Sequence, residues 1–247
     1  MHVFFFYQLA SRHSLPFILT QYMLLFFAYS IGAGKSTLMV SLLRIVELDS
    51  GKIFIDGYDT RKVGLTKLRS NIAVIPQEPL LFSGTIQSNL DPFGEFEDSE
   101  LSSVLTRVGL FTDIKASTST SSLSSLGLSQ IQSLKDPVKE GGSNFSVGQR
   151  QLLVIARALL SGASIVIMDE ATAAVDADTD ARIQKVMRSE FADATCITVA
   201  HRINTIMDSD FILVMDNGKA AEFDTPQKLI SKGGMFRDLV QASSHTS

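Results

Sequence analysis

Gly32, Ala33, Gly34, Lys35, Ser36 and Thr37 stand in one unbroken run. The run suits phosphate binding. Glycines let backbone N–H groups close around phosphate oxygens, and the lysine neutralises β- and γ-phosphate charge. The serine hydroxyl can ligate Mg²⁺, and a helix that follows turns its N-terminus toward the anion. The full pattern, G-x-x-x-x-G-K-[ST], places its first glycine at position 29, where this chain has Tyr29. Taken alone, the run also reads as a glycine-rich turn ahead of a surface helix. A second group lies far along the chain, in Ile165–Glu170 (IVIMDE). An apolar strand ending in Asp169 would bring one carboxylate near the metal, and Glu170 beside it could act as general base on a water.

Bringing these residues together requires strands and helices in alternation, and the chain reads that way. Strands are expected at 51–59, opening at Asn71–Val74 and stopping before Pro76, and at 163–168 and 194–200. The last two are continuous apolar runs, as in strands covered on both faces. Residues 210–224 read as two strands around an Asn217-Gly218 turn. Helices are expected at 147–160, with Leu152, Ile155, Ala156 and Leu159 on one face, and at 179–191. Residues 116–130 are rich in Ser and Thr and read as a surface loop.

Composition narrows the function. The chain has 247 residues, 45% hydrophobic and 19% charged, with a net charge of −4. There is no basic excess to attract nucleic acid, so no nucleic-acid partner is expected. Cys196 is the one cysteine. It excludes an intramolecular disulfide framework and a cysteine-rich metal site, and in an apolar strand it reads as a buried free thiol. Residues 1–30 differ from the rest: they are crowded with aromatics, carry Arg12 as their one formal charge, and no acid precedes Glu47. The leader reading is poor because the first residues are not basic. Leu15–Ile31 is marginal as a membrane span, which needs about 20 apolar residues, and is interrupted by Pro16, Gln21 and Tyr22. A span there would also press the phosphate loop against the bilayer, away from any nucleotide.

Further motifs carry a resemblance. Ser143–Gln151 (SNFSVGQRQ) resembles the signature of ATP-binding-cassette (ABC) ATPases, whose usual form is LSGGQ. Pro76-Gln77-Glu78-Pro79 resembles the Q-loop, Ala171–Asp176 the D-loop and Ala200-His201-Arg202 the H-loop. Their order and rough spacing match the family from residue 31 to about 240. The stretches at 81–96, 140–153, 169–180 and 191–210 are similar to the second nucleotide-binding domain of subfamily C exporters, the multidrug-resistance-associated type.

That resemblance implies an α/β fold: a P-loop NTPase core with a mainly parallel sheet and an inserted α-helical subdomain at about 84–160, within an ATPase domain at 31–247. It implies ATP and Mg²⁺. Gly32, Ala33, Gly34, Lys35, Ser36 and Thr37 would hold the phosphates. Ser36, Gln77 and Asp169 would surround Mg²⁺. Glu170 would polarise the attacking water, and His201 would hold the γ-phosphate, Glu170 and the water in line. Lys35 and Gln77 would also serve catalysis.

Ser146, Gly148 and Gln149 would face the γ-phosphate bound by a second, head-to-tail cassette, with Asp176 at the dimer seam. Val147, where LSGGQ has glycine, would slow hydrolysis at the composite site that uses this signature. The implied partners are that second nucleotide-binding domain and the transmembrane domains of an exporter. The domain would lie on the cytoplasmic side of a vacuolar or plasma membrane, and organic anions, glutathione conjugates or drugs would be the cargo. A soluble, non-transport ABC ATPase and a truncated cassette that binds nucleotide weakly or is inactive are the other readings.

In the family, the segment before the phosphate loop supplies an adenine-stacking aromatic, two or three antiparallel strands and the strand feeding the loop. That pattern is not readable in residues 1–30. They are therefore expected to be an aberrant segment ahead of an N-terminally truncated cassette. Met23–Tyr29 has the length of the feeding strand, and Phe4 and Tyr7 lie where a stacking aromatic would. In so aromatic a stretch, both read as coincidence.

Overall fold

The computed structural model describes residues 3–6, 16–19, 24–28, 35–111, 131–169, 175–199 and 207–244. Its strands are β1 (Val3–Phe6), β2 (Pro16–Leu19), β3 (Leu24–Ala28), β4 (Lys52–Ile55), β5 (Tyr58–Asp59), β6 (Ile72–Ile75), β7 (Gly84–Thr85), β8 (Pro137–Val138), β9 (Ile165–Asp169), β10 (Thr195–Val199), β11 (Phe211–Asp216) and β12 (Lys219–Asp224). Its helices are α1 (Lys35–Leu42), α2 (Leu65–Arg69), α3 (Ile86–Leu90), α4 (Asp98–Arg107), α5 (Val147–Leu160), α6 (Ala177–Glu190), α7 (Pro226–Lys232) and α8 (Met235–Ser244). None is long and apolar enough to cross a membrane. The chain forms two compact units: Met1–Val74 with Ala163–Glu170 and Asp193–Ser247, and Ile75–Gly162 with Ala171–Ala192.

The first unit is built on two sheets. One runs β2-β1-β4-β5, with β1 antiparallel to both β2 and β4. The other runs β12-β11-β3-β10-β9-β6, and β11, β3, β10 and β9 are parallel. Residues 1–30 were expected to stand apart from the domain, but three strands from this stretch enter the two sheets. β3 sits between β10 and β11. LLFFA carries no charge and suits a parallel strand covered on both faces.

Alternation sorts the side chains of the larger sheet. Ile165, Ile167, Ile197, Val199, Leu213 and Met215 join Leu38 and Leu42 of α1 in one core cluster. Ile212 and Val214, on the opposite face of β11, pack with Leu229 of α7 and Phe236 of α8. The expected Asn217-Gly218 turn joins β11 to β12, and both residues have positive φ (47° and 74°), the conformation a tight type I′ hairpin requires.

Cys196 is buried in β10, and burial pushes its thiol up to about 12. The folded chain therefore keeps the proton where an unfolded thiol, near 9.0, has lost it. The site contributes stability below about pH 9 that is lost as pH rises from there toward 12. A disulfide reagent at neutral pH is expected to react slowly with the native chain and at once in urea.

In the second unit, α5 packs against α3, α4 and α6. It spans the residues expected, Val147–Leu160, but is buried more completely than one amphipathic face implies: Gln151, Leu153 and Val154 are buried as well. α6 begins at Ala177, two residues ahead of the expected 179, because Asp176 caps it. Arg107 of α4 pairs with Glu190 of α6 at 2.5 Å, and Arg182 of α6 donates to the Gly109 carbonyl. The Ser/Thr-rich loop at 116–130 lies outside the described residues.

Candidate functional site

The register of the parallel strands locates the site. Asp169, the last residue of β9, pairs with Val199, the last of β10, and Val199 pairs with Phe27 near the end of β3. The carboxyl ends of these strands therefore lie at one edge of the sheet. In sequence, the glycine-rich run follows β3, Glu170 follows β9 and His201 follows β10. In open parallel α/β sheets, the carboxyl edge of the strands is where ligands bind.

The helix α1 begins at Lys35, within the glycine-rich run and directly after its last glycine, Gly34. Ser36 and Thr37 are exposed in its first turn, which carries no acidic residue, so its N-terminal dipole faces no competing carboxylate of its own. Leu38 and Leu42 anchor the helix in the core, and the Ser41 hydroxyl donates to the Thr37 carbonyl at 2.7 Å. Asp169 is half-buried at the end of a strand whose other residues are buried. Ser36 and Asp169 offer oxygen donors only, the set a hard cation such as Mg²⁺ prefers. Gly32, Ala33, Gly34, Glu170, Ala171–Ala174 and His201 lie outside the described residues, as does the side chain of Lys35.

The remaining expected residues fall in the second unit. Gln77 is exposed after β6. Gln151, buried on α5, makes a long hydrogen bond of 3.5 Å from its amide to the Pro76 carbonyl, beside Gln77. Ser146 N-caps α5. Its hydroxyl accepts from the Gln149 N–H at 3.2 Å, and the Gln149 side-chain oxygen accepts from the Ser146 N–H at 2.8 Å. This capping box turns Gln149 inward, into burial, a structural part that reading it only as a phosphate contact had missed. The S-x-x-Q spacing was the available signal.

Asp176 is exposed and accepts from the Thr179 N–H at 2.9 Å. That bond, and then one from the Thr179 hydroxyl, hold its carboxyl below the usual range.

The sequence reading missed Arg157. Its guanidinium donates to the Asn89 carbonyl at 2.5 Å, to the Leu80 carbonyl at 2.7 Å and to Asn89 Oδ1 at 2.7 Å, and lies 5.9 Å from the Phe82 ring centroid. Burial lowers its pKa. Asn89 is buried and grips Phe82 on both sides, accepting from its N–H and donating to its carbonyl. Arg157 and Asn89 thus hold in place a segment whose large apolar side chains face outward: Leu80 is 66% exposed, Phe82 71% and, beyond α3, Phe93 84%. A separate cavity of about 430 Å³ in the first unit, between Tyr58, Lys67 and Ser164, is lined by none of the expected site residues.

Comparison with known proteins gives a consistent answer. The ABC transporter family profile matches residues 29–173. The chain is 48% identical over 217 residues to ABC transporter C family member 13 of Oryza sativa subsp. indica, covering 87% of this chain and 14% of that protein. It is 48% identical over 210 residues to ATP-binding cassette sub-family C member 3 of Rattus norvegicus, covering 85% of this chain and 13% of that protein. Among solved structures, a bacterial Atm1-family ABC exporter with ATP bound superposes with a TM-score of 0.80 at 29% identity, over 98% of this chain and 42% of that one.

Proposed function

The chain belongs to the ABC transporter family, and on that premise we propose that it is an ATP-binding cassette of the multidrug-resistance-associated type, hydrolysing ATP to drive export across a membrane. The observation that carries this reading is the shared carboxyl edge of β3, β10 and β9, strands that the glycine-rich run, His201 and Glu170 follow in sequence. At that edge the run from Gly32 to Thr37, with Ala33, Gly34, Lys35 and Ser36, binds the phosphates through backbone N–H groups and the lysine charge. Ser36, Gln77 and Asp169 are the residues that would hold Mg²⁺, which supplies charge neutralisation on the β- and γ-phosphates. Glu170 accepts the proton of the attacking water, and His201 keeps water and γ-phosphate in line.

Ser146 and Gly148 present the start of α5 to nucleotide held by a second cassette, Gln149 shapes that start through the capping box, and Asp176 lies at the seam. Hydrolysis then needs a partner cassette. The exposed Leu80, Phe82 and Phe93 fit an apolar docking surface for a transmembrane domain, which sets the cassette on the cytoplasmic face of the membrane. ATP binding and phosphate release, measured for the native chain and Glu170→Gln, test the reading.

One observation favours a second reading, a cassette that binds nucleotide weakly. Tyr29 occupies the first glycine position of the phosphate loop, where a side chain crowds the turn. Tyr29→Gly is expected to tighten ATP binding, by about tenfold if the crowding costs roughly 1.4 kcal/mol. Titration with a fluorescent ATP analogue checks this, and equal affinities would remove Tyr29 as the cause of weak binding.

A further inference from the structure

Gly148 is buried in the first turn of α5, and its backbone does not lie in the left-handed region that only glycine favours. Its requirement is spatial. A β-carbon at position 148 would stand inside the van der Waals envelope of the Thr179 γ-methyl, with the Thr179 β-carbon at 3.5 Å and Val175 Cγ1 at 3.7 Å. The neighbouring position tolerates a side chain, since Val147 is half-buried. Thr179 has a second attachment: its N–H donates to Asp176, the N-cap of α6. One residue therefore touches the start of the signature helix with its methyl and holds the end of the D-loop with its backbone.

We propose that Thr179 is a positioning residue, its γ-methyl setting the spacing between the first turns of α5 and α6 so that Ser146 and Asp176 keep a fixed relation. This rests on the cassette reading, in which both residues meet the partner's nucleotide site. The methyl sets the spacing between the two helices, whereas the hydroxyl, like the N–H, only bonds Asp176. Thr179→Ser removes the methyl and keeps the hydroxyl, whereas Thr179→Val does the reverse.

The test combines amide hydrogen exchange at residue 179, read by NMR on the full chain, with ATP turnover. Gly148→Ala is expected to speed exchange of that amide about tenfold as the overpacked turn pushes α6 away. Adding Thr179→Ser should restore protection, because the β-carbons can then sit in ordinary contact, and adding Thr179→Val should not. Alone, Thr179→Ser is expected to lower kcat about threefold to tenfold with KM for ATP unchanged, the pattern of lost positioning without lost binding. Rescue by Val as well as Ser, no rescue by Ser, or an unchanged kcat in Thr179→Ser would each overturn the proposal. Should Gly148→Ala fail to fold, the kcat of Thr179→Ser decides alone. If the native chain turns over no ATP in the presence of a partner cassette, the cassette reading fails, while the exchange data still decide whether the methyl sets the spacing.

Discussion

Glu170→Gln is expected to stop ATP turnover while leaving ATP binding intact. A positioned general base contributes about 10²–10⁴-fold to such a step, and the amide of glutamine cannot take the proton. On the proposed reading, ground-state affinity comes from elsewhere: the backbone of the glycine-rich run, the Lys35 charge and the start of α1. Phosphate release should therefore fall by at least about a hundredfold, while a fluorescent ATP analogue binds as before. Native turnover should also rise faster than linearly with chain concentration if, as proposed, each composite site takes two cassettes. Equal phosphate release from both proteins would show that Glu170 is not the base.

Arg157→Ala is expected to cause a large loss of stability in the second unit. The substitution withdraws a charged donor from two carbonyls and an amide oxygen at once. Hydrogen bonds to charged groups, and buried acceptors left without partners, together suggest a cost of about 3 kcal/mol. For a chain of this size that is roughly 6–12 °C in Tm. Arg157→Lys should recover little, because an ammonium cannot reach three acceptors in the fork geometry of a guanidinium. The Leu80–Phe82 segment should loosen first, exposing the peptide bond after Phe82 to chymotrypsin. A Tm within about 2 °C of the native value would mean that the segment is held by packing alone.

Much of this was legible in the sequence, for reasons that differ by element. β9 and β10 announce themselves because strands covered on both faces are largely apolar and β-branched, as IVIM and CITV are. α5 was placed to the residue because Ser146 marks its start and its apolar spacing runs on to Leu160. The start of α6 was missed by two residues because Ala177 and Asp178 carry no periodic signal, and the cap that decides it is a hydrogen bond.

β1 and β2 were not legible, and β3, within Met23–Tyr29, had the length of a strand but was set aside as coincidence. A stretch such as VFFF or LLFFA satisfies a core strand, a leader and a membrane segment equally well. Only its pairing with Lys52–Ile55, or with strands beyond residue 194, separates these readings. Arg157 is a similar case. An arginine near the end of a helix looks solvated until the carbonyls of Leu80 and Asn89 are seen to converge on it.

The position of β3 also bears on how the chain is made. Leu24–Ala28 leaves the ribosome well before both of its neighbours, Thr195–Val199 and Phe211–Asp216. The middle of the sheet must wait for its two flanks, and the loops to be closed span most of the chain. Such distant parallel pairing folds slowly, and an apolar strand left waiting is a target for misassociation. Shielding residues 24–28 during synthesis, by a chaperone, slower translation or a lower temperature, is therefore expected to raise the yield of folded chain.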